Sequence, residues 1–256
     1  MGIRSEYQEL AERACQVAAK TAGVLRRDRS NLRSVTTVIG KDVKAVADER
    51  AHELMVAELE DTGFQVLSEE GHATDCVRSV LDGPCWVIDP LDGTLNYTRG
   101  FGVYAVSIAF WDGGAPRVGV IQDIERGTCY SGVIGEGASC DDEVVHVSAV
   151  SSVKDAVLAT GFPTGRKYDA DSLQKSISQI REFKKVRMIG SAAMSLAHVA
   201  TGTFDAYHEE DIWVWDVAAG LALVKAAGGA VITSELKSNG KMDVTAWNGH
   251  FDFGAL

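Results

Sequence analysis

The chain is poor in the features that mark membranes, nucleic-acid partners or oxidising compartments. Its five cysteines (Cys15, Cys76, Cys85, Cys129, Cys140) are an odd number without a Cys-x-x-Cys pair, so they indicate neither a zinc knuckle nor a disulfide framework. A reducing, cytoplasmic setting is the expectation. No apolar stretch reaches membrane-spanning length, the N-terminus lacks the apolar core of a signal peptide, and Glu6 stands where a myristoylation signal needs Ser or Thr. Neither a membrane span nor a lipid anchor is expected. Basic residues are outnumbered 25 to 36 by acidic ones, and the net charge of −11 repels phosphate backbones and anionic membranes. Arg26-Arg27-Asp28-Arg29 and Lys184-Lys185-Val186-Arg187 are too short to override that balance and read as a solvated helix end and a strand edge. Several motifs are missing as well: a Gly-x-Gly-x-x-Gly after a strand, a Walker loop around Gly40-Lys41-Asp42, a Gly-x-Ser-x-Gly elbow, and a His-Glu-x-x-His at His208. The six histidines show no ligand spacing, which disfavours zinc.

What is present suits a globular α/β protein. With 256 residues, 46% of them hydrophobic, the chain can bury a sizeable core. No Pro-rich linker or internal repeat divides it, so we expect one domain over 1–256 whose two subdomains, about 1–150 and 151–256, share a core. Ser5 and Gln8 have capping-box spacing, and Tyr7, Leu10, Ala11, Ala14, Val17 and Ala18 recur at helical intervals, which predicts a helix to about Arg27. A second helix is expected from Val46 to Asp61, ended by Gly63, then a short strand from Phe64 to Leu67. Val103–Phe110, Arg117–Gln122 and Thr128–Val133 read as an antiparallel meander, with Gly132, Gly135 and Gly137 as hairpin glycines. Beyond Val150 strands and helices alternate: Ala156–Thr160, Asp171–Phe183, Val186–Ile189, Ala192–Thr201, Phe204–Tyr207 and Asp216–Ala227.

The chemistry concentrates at Trp86-Val87-Ile88-Asp89-Pro90-Leu91-Asp92-Gly93-Thr94, where an apolar strand runs into two carboxylates held three residues apart by turn dipeptides. In open α/β sheets that edge is where ligands bind. The plainer reading is a strand end whose aspartates bond the turn backbone. Glu69-Glu70 is a second acidic pair, repelling unless solvent or a cation lies between, although an exposed acidic loop is the commoner explanation. Asp216 precedes an apolar helix start and could serve as its N-cap; Asp48 could be a first-turn acid facing the helix dipole. Carboxylates without histidine or thiolate partners are the ligands Mg²⁺ prefers.

Taken together, Glu69-Glu70, Asp89-Pro90-Leu91-Asp92-Gly93-Thr94 and Trp215-Asp216-Val217-Ala218-Ala219-Gly220 resemble the inositol monophosphatase family of Mg²⁺-dependent, lithium-sensitive phosphatases. Asn96-Tyr97, Val106-Ser107-Ile108, Gly190-Ser191-Ala192-Ala193 and Ala200 to Tyr207 fit it in order and spacing, so the likeness covers nearly the whole chain. The resemblance implies a layered αβαβα sandwich of the sugar-phosphatase type and, for many members, a homodimer. It implies that Glu69, Asp89 and the Leu91 carbonyl bind one Mg²⁺, that Asp89, Asp92 and Asp216 bind a second, and that Glu70 supports a weaker third site. Gly93 and Thr94 amides would meet the phosphate, and Thr94 and Asp48, with Glu69, would orient and deprotonate the attacking water. Asp92, Gly190, Ser191, Ala192, Glu209 and Asp216 match substrate-facing positions. The demand is steep, since phosphate monoester hydrolysis requires accelerations approaching ~10²¹-fold, and two metals about 4 Å apart can stabilise both entering and leaving oxygens.

The match departs from the family at a few places. Ser68 replaces the usual Gly before the first Glu, and Ala45 replaces the Thr of an Asp-x-Val-Thr segment, removing a hydroxyl that would help place Asp48. Lys41 is a candidate to reach the site from a loop, with a solvated lysine the commoner reading. The residues after Trp247-Asn248-Gly249 leave room for a very short final helix at most. Leu95 stands where nucleotide-bisphosphate phosphatases of the superfamily often carry Lys, which argues against 3'-phosphoadenosine 5'-phosphate. The acidic run Glu209-Glu210-Asp211 would suit an ammonium, as in histidinol phosphate or an amino-sugar phosphate, or is simply a solvated cluster. Inositol monophosphate or a related polyol or sugar phosphate is the expected substrate. The alternatives outside phosphatases are a noncatalytic regulatory protein on the same fold and a nucleic-acid-binding module, the latter lacking a basic face.

Overall fold

A computed structural model describes residues 5–39, 42–71, 77–162 and 169–253; Lys41, His72 and Cys76 lie outside them. Helix α1 (Glu6–Arg27) and a short α2 (Arg29–Leu32) are followed by a two-stranded ribbon, β1 (Val35–Ile39) and β2 (Asp42–Ala45), that runs directly into α3 (Val46–Leu59). Next come β3 (Gln65–Ser68), α4 (Val77–Leu81), β4 (Cys85–Asp92) and α5 (Thr94–Arg99). The meander is longer than the three strands expected: β5 (Ala105–Asp112), β6 (Ala115–Asp123) and β7 (Cys129–Val133) continue into β8 (Gly137–Cys140) and β9 (Glu143–Val145). The second half comprises β10 (Val157–Thr160), α6 (Ala170–Glu182), β11 (Lys185–Arg187), α7 (Ala192–Ala200), β12 (Ala206–Trp213), α8 (Val214–Ala226), β13 (Ala230–Thr233) and β14 (Lys241–Trp247).

Besides the β1–β2 ribbon, the described residues form two larger sheets and three helical layers. The first sheet runs β3 to β9 in sequence order, and only its β3–β4 pair is parallel. The second has the order β11-β10-β12-β14-β13, with β10 parallel to both its neighbours and β14 antiparallel to its own. Helices α1 and α3 cover one face of the first sheet, α7 and α8 fill the space between the sheets, and Ile180 of α6 packs with Phe183 over the outer face of the second. This is the layered αβαβα sandwich.

Local sequence explains much of it. Both arms of the capping box form at α1, Gln8 N donating to Ser5 Oγ at 3.2 Å and Ser5 N to Gln8 Oε1 at 3.3 Å, and Gly63 adopts φ +81° where α3 and its terminal turn end. Helix α8 is apolar on nearly every side, as a helix buried between two sheets must be, and Val214, Trp215, Val217 to Val224 are buried along it. Three readings are corrected. Gly135 and Gly137 do turn the β7–β8 hairpin, but Gly132 lies inside β7, where a Cβ would meet Leu223 and Ala226 of α8 at about 3 Å. β12 begins two residues later than expected and extends through Glu209-Glu210-Asp211, because β14 pairs with it across a bulge between Glu209 and Ile212. Asp216 is not an N-cap: α8 starts at Val214 after Trp213, which puts Asp216 third in the helix.

β6 and α8 approach closely in the core, where a Cβ on Gly119 would stand 2.0 Å from the Ala219 carbonyl oxygen. Gly119→Ala is expected to lower stability by about 2–3 kcal/mol, or about 5–10 °C in Tm. Differential scanning calorimetry would expose the error if parent and variant melted together.

Candidate active site

The parallel pairing of β3 and β4 puts Ser68 beside Ile88, so the next residue on each strand, Glu69 and Asp89, emerge side by side at one sheet edge. A bulge between Asp89 and Asp92 in the β4–β5 pairing, with Pro90 inside it, breaks the ladder there and swings the acids out of register. Asp216 arrives from the first turn of α8. One oxygen from each of Glu69, Asp89 and Asp216 lies within 4.8 Å of the other two. Burial pushes Asp89 and Asp216 well above the usual carboxylate range, and the nearby Glu69 charge adds to both shifts. Glu69 itself is raised to about 8 by burial and by Glu70. Three acids in this state repel one another unless protonated or bridged by a cation, and the all-oxygen donor set fits Mg²⁺.

The remaining acids face other partners. Asp48, buried in the first turn of α3, accepts from the Ala45 N–H at 2.8 Å and from Thr94 Oγ1 at 2.7 Å. The backbone of Ala45 thus does the placing that a threonine hydroxyl was expected to do. Burial raises Asp48 to about 6 against those two bonds. The Leu91 carbonyl accepts from the same Thr94 hydroxyl at 3.1 Å. Asp92 turns toward the start of α7, where it accepts from Ser191 Oγ, from Ala193 N at 2.9 Å and from Ala192 N at 3.3 Å. Burial lifts it to about 6, and those donors restrain the rise. Ser191 caps α7 in turn, accepting from Met194 N at 3.1 Å. Glu70 pairs with Lys44, whose Nζ donates to both carboxylate oxygens at 2.8 and 2.7 Å.

Ahead of the trio lies a cavity of about 260 Å³ lined by Asp92, Gly190, Ser191, Ala192, Glu209 and Asp216 together with Thr160, Gly161, Phe162, Ser195, Tyr207 and Ile212. Glu209 accepts from Tyr207 OH at 2.8 Å, and burial raises its carboxyl to about 7. Gly161 leaves it room, since a Cβ there would meet Glu209 oxygens at 2.4 Å. The acidic run divides: Glu209 lines the cavity, whereas Asp211 bonds Lys237 at 2.7 Å. Gly93 holds φ +88° at the start of α5, where a Cβ would press on the Val103 carbonyl at 3.0 Å.

Sequence reasoning overlooked four positioning residues. Asn96 Nδ2 ties α5 to the Val103 carbonyl at 2.9 Å and to the Ile189 carbonyl at 2.8 Å, fixing Gly190 beside Gly93. Tyr207 holds Glu209. His52 Nδ1 lies 2.8 Å from Ser68 Oγ, which ties α3 to the end of β3 just before Glu69. Lys44 had a signal: the Asp-x-Val-Thr pattern reads Asp42-Val43-Lys44-Ala45 here, with a lysine at an apolar position.

Residues 6–252 match the model of the inositol monophosphatase family. This chain belongs to that family. It is 38% identical over 220 residues to the Nus factor SuhB of Xylella fastidiosa, covering 84% of this chain and 78% of that protein. It is 35% identical over 222 residues to the inositol-1-monophosphatase SuhB of Mycobacterium tuberculosis, covering 84% and 73%. The solved inositol monophosphatase from Anabaena (Nostoc) superposes with a TM-score of 0.80 at 30% identity over 97% of this chain and 93% of that one. As a member of the inositol monophosphatase family, the chain is a phosphatase of a generally metal-dependent family, and its trio of carboxylates is a group that could hold a metal ion. Among the described residues no helix is long and apolar enough to cross a membrane.

The raised carboxyls fix a sign for the pH dependence of the metal-free protein. Asp48, Asp92 and Glu69 keep protons in the native state that the unfolded chain has already lost, so stability falls as pH rises from about 5 to about 8. Glu58 and Asp211, both lowered, are ionised in both states across that window and cancel; His198, lowered by burial, and Cys15, lowered to about 7, act in the opposite direction but are outnumbered by the raised acids, to which Asp89, Asp216 and Glu209 also belong. In EDTA the Tm should drop from pH 5 to pH 8, and Mg²⁺ should restore it at the upper end; a Tm that climbed with pH in EDTA would contradict the burial of these acids.

Proposed function

We propose that this phosphatase hydrolyses a small phosphate monoester, an inositol monophosphate or a related polyol or sugar phosphate, with Mg²⁺ as its cofactor. One observation carries the reading: an all-oxygen trio, Glu69, Asp89 and Asp216, stands beside a hydroxyl, Thr94 Oγ1, already hydrogen-bonded to a buried proton acceptor, Asp48. Glu69, Asp89 and the Leu91 carbonyl would hold one ion; Asp89, bridging, with Asp92 and Asp216, would hold the second. Bound there, Mg²⁺ would neutralise the phosphate and stabilise the entering and leaving oxygens. Thr94 accepts the proton of the attacking water as its own proton passes to Asp48, the water oxygen bonds phosphorus, and the ester P–O bond breaks. The departing alcohol oxygen takes a proton from solvent beside Asp92.

Gly93 and Thr94 amides would receive the phosphate at the start of α5, and the Gly190-Ser191-Ala192 segment with Glu209 would face the hydroxyls of the polyol. Of the acidic run only Glu209 lines the cavity, so the three-carboxylate cluster that would suit an amine substrate does not face it. Because Glu69 and Asp89 come from one half of the chain and Asp216 from the other, we read 1–256 as one catalytic unit. We further read it as a cytoplasmic, lithium-sensitive enzyme that pairs with a second copy. The name Nus factor SuhB on a 38% identical relative favours a second, regulatory reading. Mg²⁺-dependent phosphate release from a panel of inositol and sugar phosphates, with and without Li⁺, separates the two, because a purely regulatory protein releases none.

Asp89→Asn should abolish hydrolysis even at saturating Mg²⁺. Thr94→Ala should bind metal nearly as before yet turn over about 10²-fold or more slowly. Asp216→Asn should lose activity while its metal-free Tm holds or rises, since Asp216 caps nothing and an acid whose ionisation burial and the neighbouring carboxylates oppose is gone; a lower Tm would return it to a structural role.

A further inference from the structure

We propose that Cys15 and Cys129 form a modification site, a thiol pair that a small hydroperoxide oxidises to a disulfide, stapling helix α1 to strand β7. The cavity at this pair shares no lining residue with the one ahead of the carboxylate trio, so the inference stands apart from the phosphatase chemistry.

The fold brings the two sulfurs to 3.7 Å although 114 positions separate them in the chain. A disulfide is about 2.05 Å long, so the sulfurs need close by only about 1.7 Å, a distance that side-chain rotation covers. The backbone of Cys129 is fixed meanwhile: Asp141 accepts from its N–H at 2.8 Å and donates to its carbonyl at 2.9 Å. Both cysteines are half-buried, and both line a cavity of about 270 Å³, while Cys15 also lines a groove of about 640 Å³ between α1 and the β7–β8 hairpin. A hydroperoxide is small beside either. The other described cysteines lack this setting. Cys85 is fully buried, which pushes its thiol up to about 12. Cys140 pairs with Tyr130 and packs with it on the opposite face of the sheet from Cys129.

The two thiols are also unequal. Cys129 donates to the Cys15 sulfur, and that bond, with help from Ser131, brings Cys15 down to about 7 against its burial; the same contact pushes Cys129 up. Cys15 is therefore the thiolate and Cys129 keeps its proton. The Cys15 thiolate attacks a peroxide oxygen, an S–O bond forms as the O–O bond breaks, and the departing oxygen takes a proton to leave as water or alcohol. The Cys129 sulfur then attacks the Cys15 sulfenic acid. An S–S bond forms, the S–O bond breaks, and the hydroxide leaves as water with the Cys129 proton. The sulfurs give up two electrons and the peroxide is reduced.

Peptide mapping of the full chain without reductant, after treatment with equimolar hydrogen peroxide, tests this. Wild type should lose about two free thiols per chain and yield the Cys15 and Cys129 peptides joined, and dithiothreitol should restore both. Because the bond closes a long loop, the oxidised protein should melt about 5–10 °C above the reduced one. Cys129→Ser cannot close the bond and should accumulate a sulfenic acid at Cys15 that dimedone captures; Cys15→Ser should give neither the link nor an adduct at Cys129. A map without the joined peptide, a link from Cys15 to a different cysteine, dimedone capture at Cys129 in Cys15→Ser, or a Tm that fails to rise on oxidation would overturn the proposal. The map and the melting are read on the unmutated chain, so the test holds even where a variant does not fold.

Discussion

Mutual repulsion among buried carboxylates governs the architecture around the site. At an effective dielectric of ~20, two unit charges separated by the distance that spans Glu69, Asp89 and Asp216 repel by about 3 kcal/mol, a large quantity beside a typical net folding free energy. The fold meets that demand by bringing helix starts to the acids. Asp48 and Asp216 lie in the first turns of α3 and α8, Asp92 docks on the first amides of α7, and Thr94 opens α5. The positive ends of the helix dipoles thus surround the negative cluster.

Such convergence needs rigid neighbours. α8 is clamped between two sheets, and it approaches β6 and β7 so closely that Gly119 and Gly132 are the residues which fit beneath it. Gly220 does the same on the other side, where a Cβ would meet Leu196 of α7 at 2.4 Å. Close packing of this kind transmits displacement rather than absorbing it. The first turn of α8, and with it Asp216, is therefore set by contacts far along the helix.

The acids divide by their partners. Asp48 faces a threonine hydroxyl and a backbone amide, Asp92 a helix start, Glu70 a lysine, and Glu209 a tyrosine hydroxyl. Glu69, Asp89 and Asp216 remain turned toward one another. That division gives residues of the same chemical type different partners and different degrees of charge compensation.

Local sequence determined the pieces whose causes lie within a few residues: the capping box that starts α1, the glycine that ends α3, the apolar run of β4 into its aspartates, and the all-round apolarity of α8. The three acidic motifs and their order were legible for the same reason, since each is a short string. What tertiary structure decided were pairings across long stretches of chain. The parallel register of β3 with β4 set Glu69 beside Asp89, and pairing with β14 extended β12 past its expected end and parted Glu209 from Asp211. The start of α8 moved Asp216 off the cap, and β2 delivered Lys44 to Glu70. Hydrogen-bonding and charge partners that lie tens of residues away leave no periodicity in the string, so only the folded chain reveals which carboxylate answers to which neighbour.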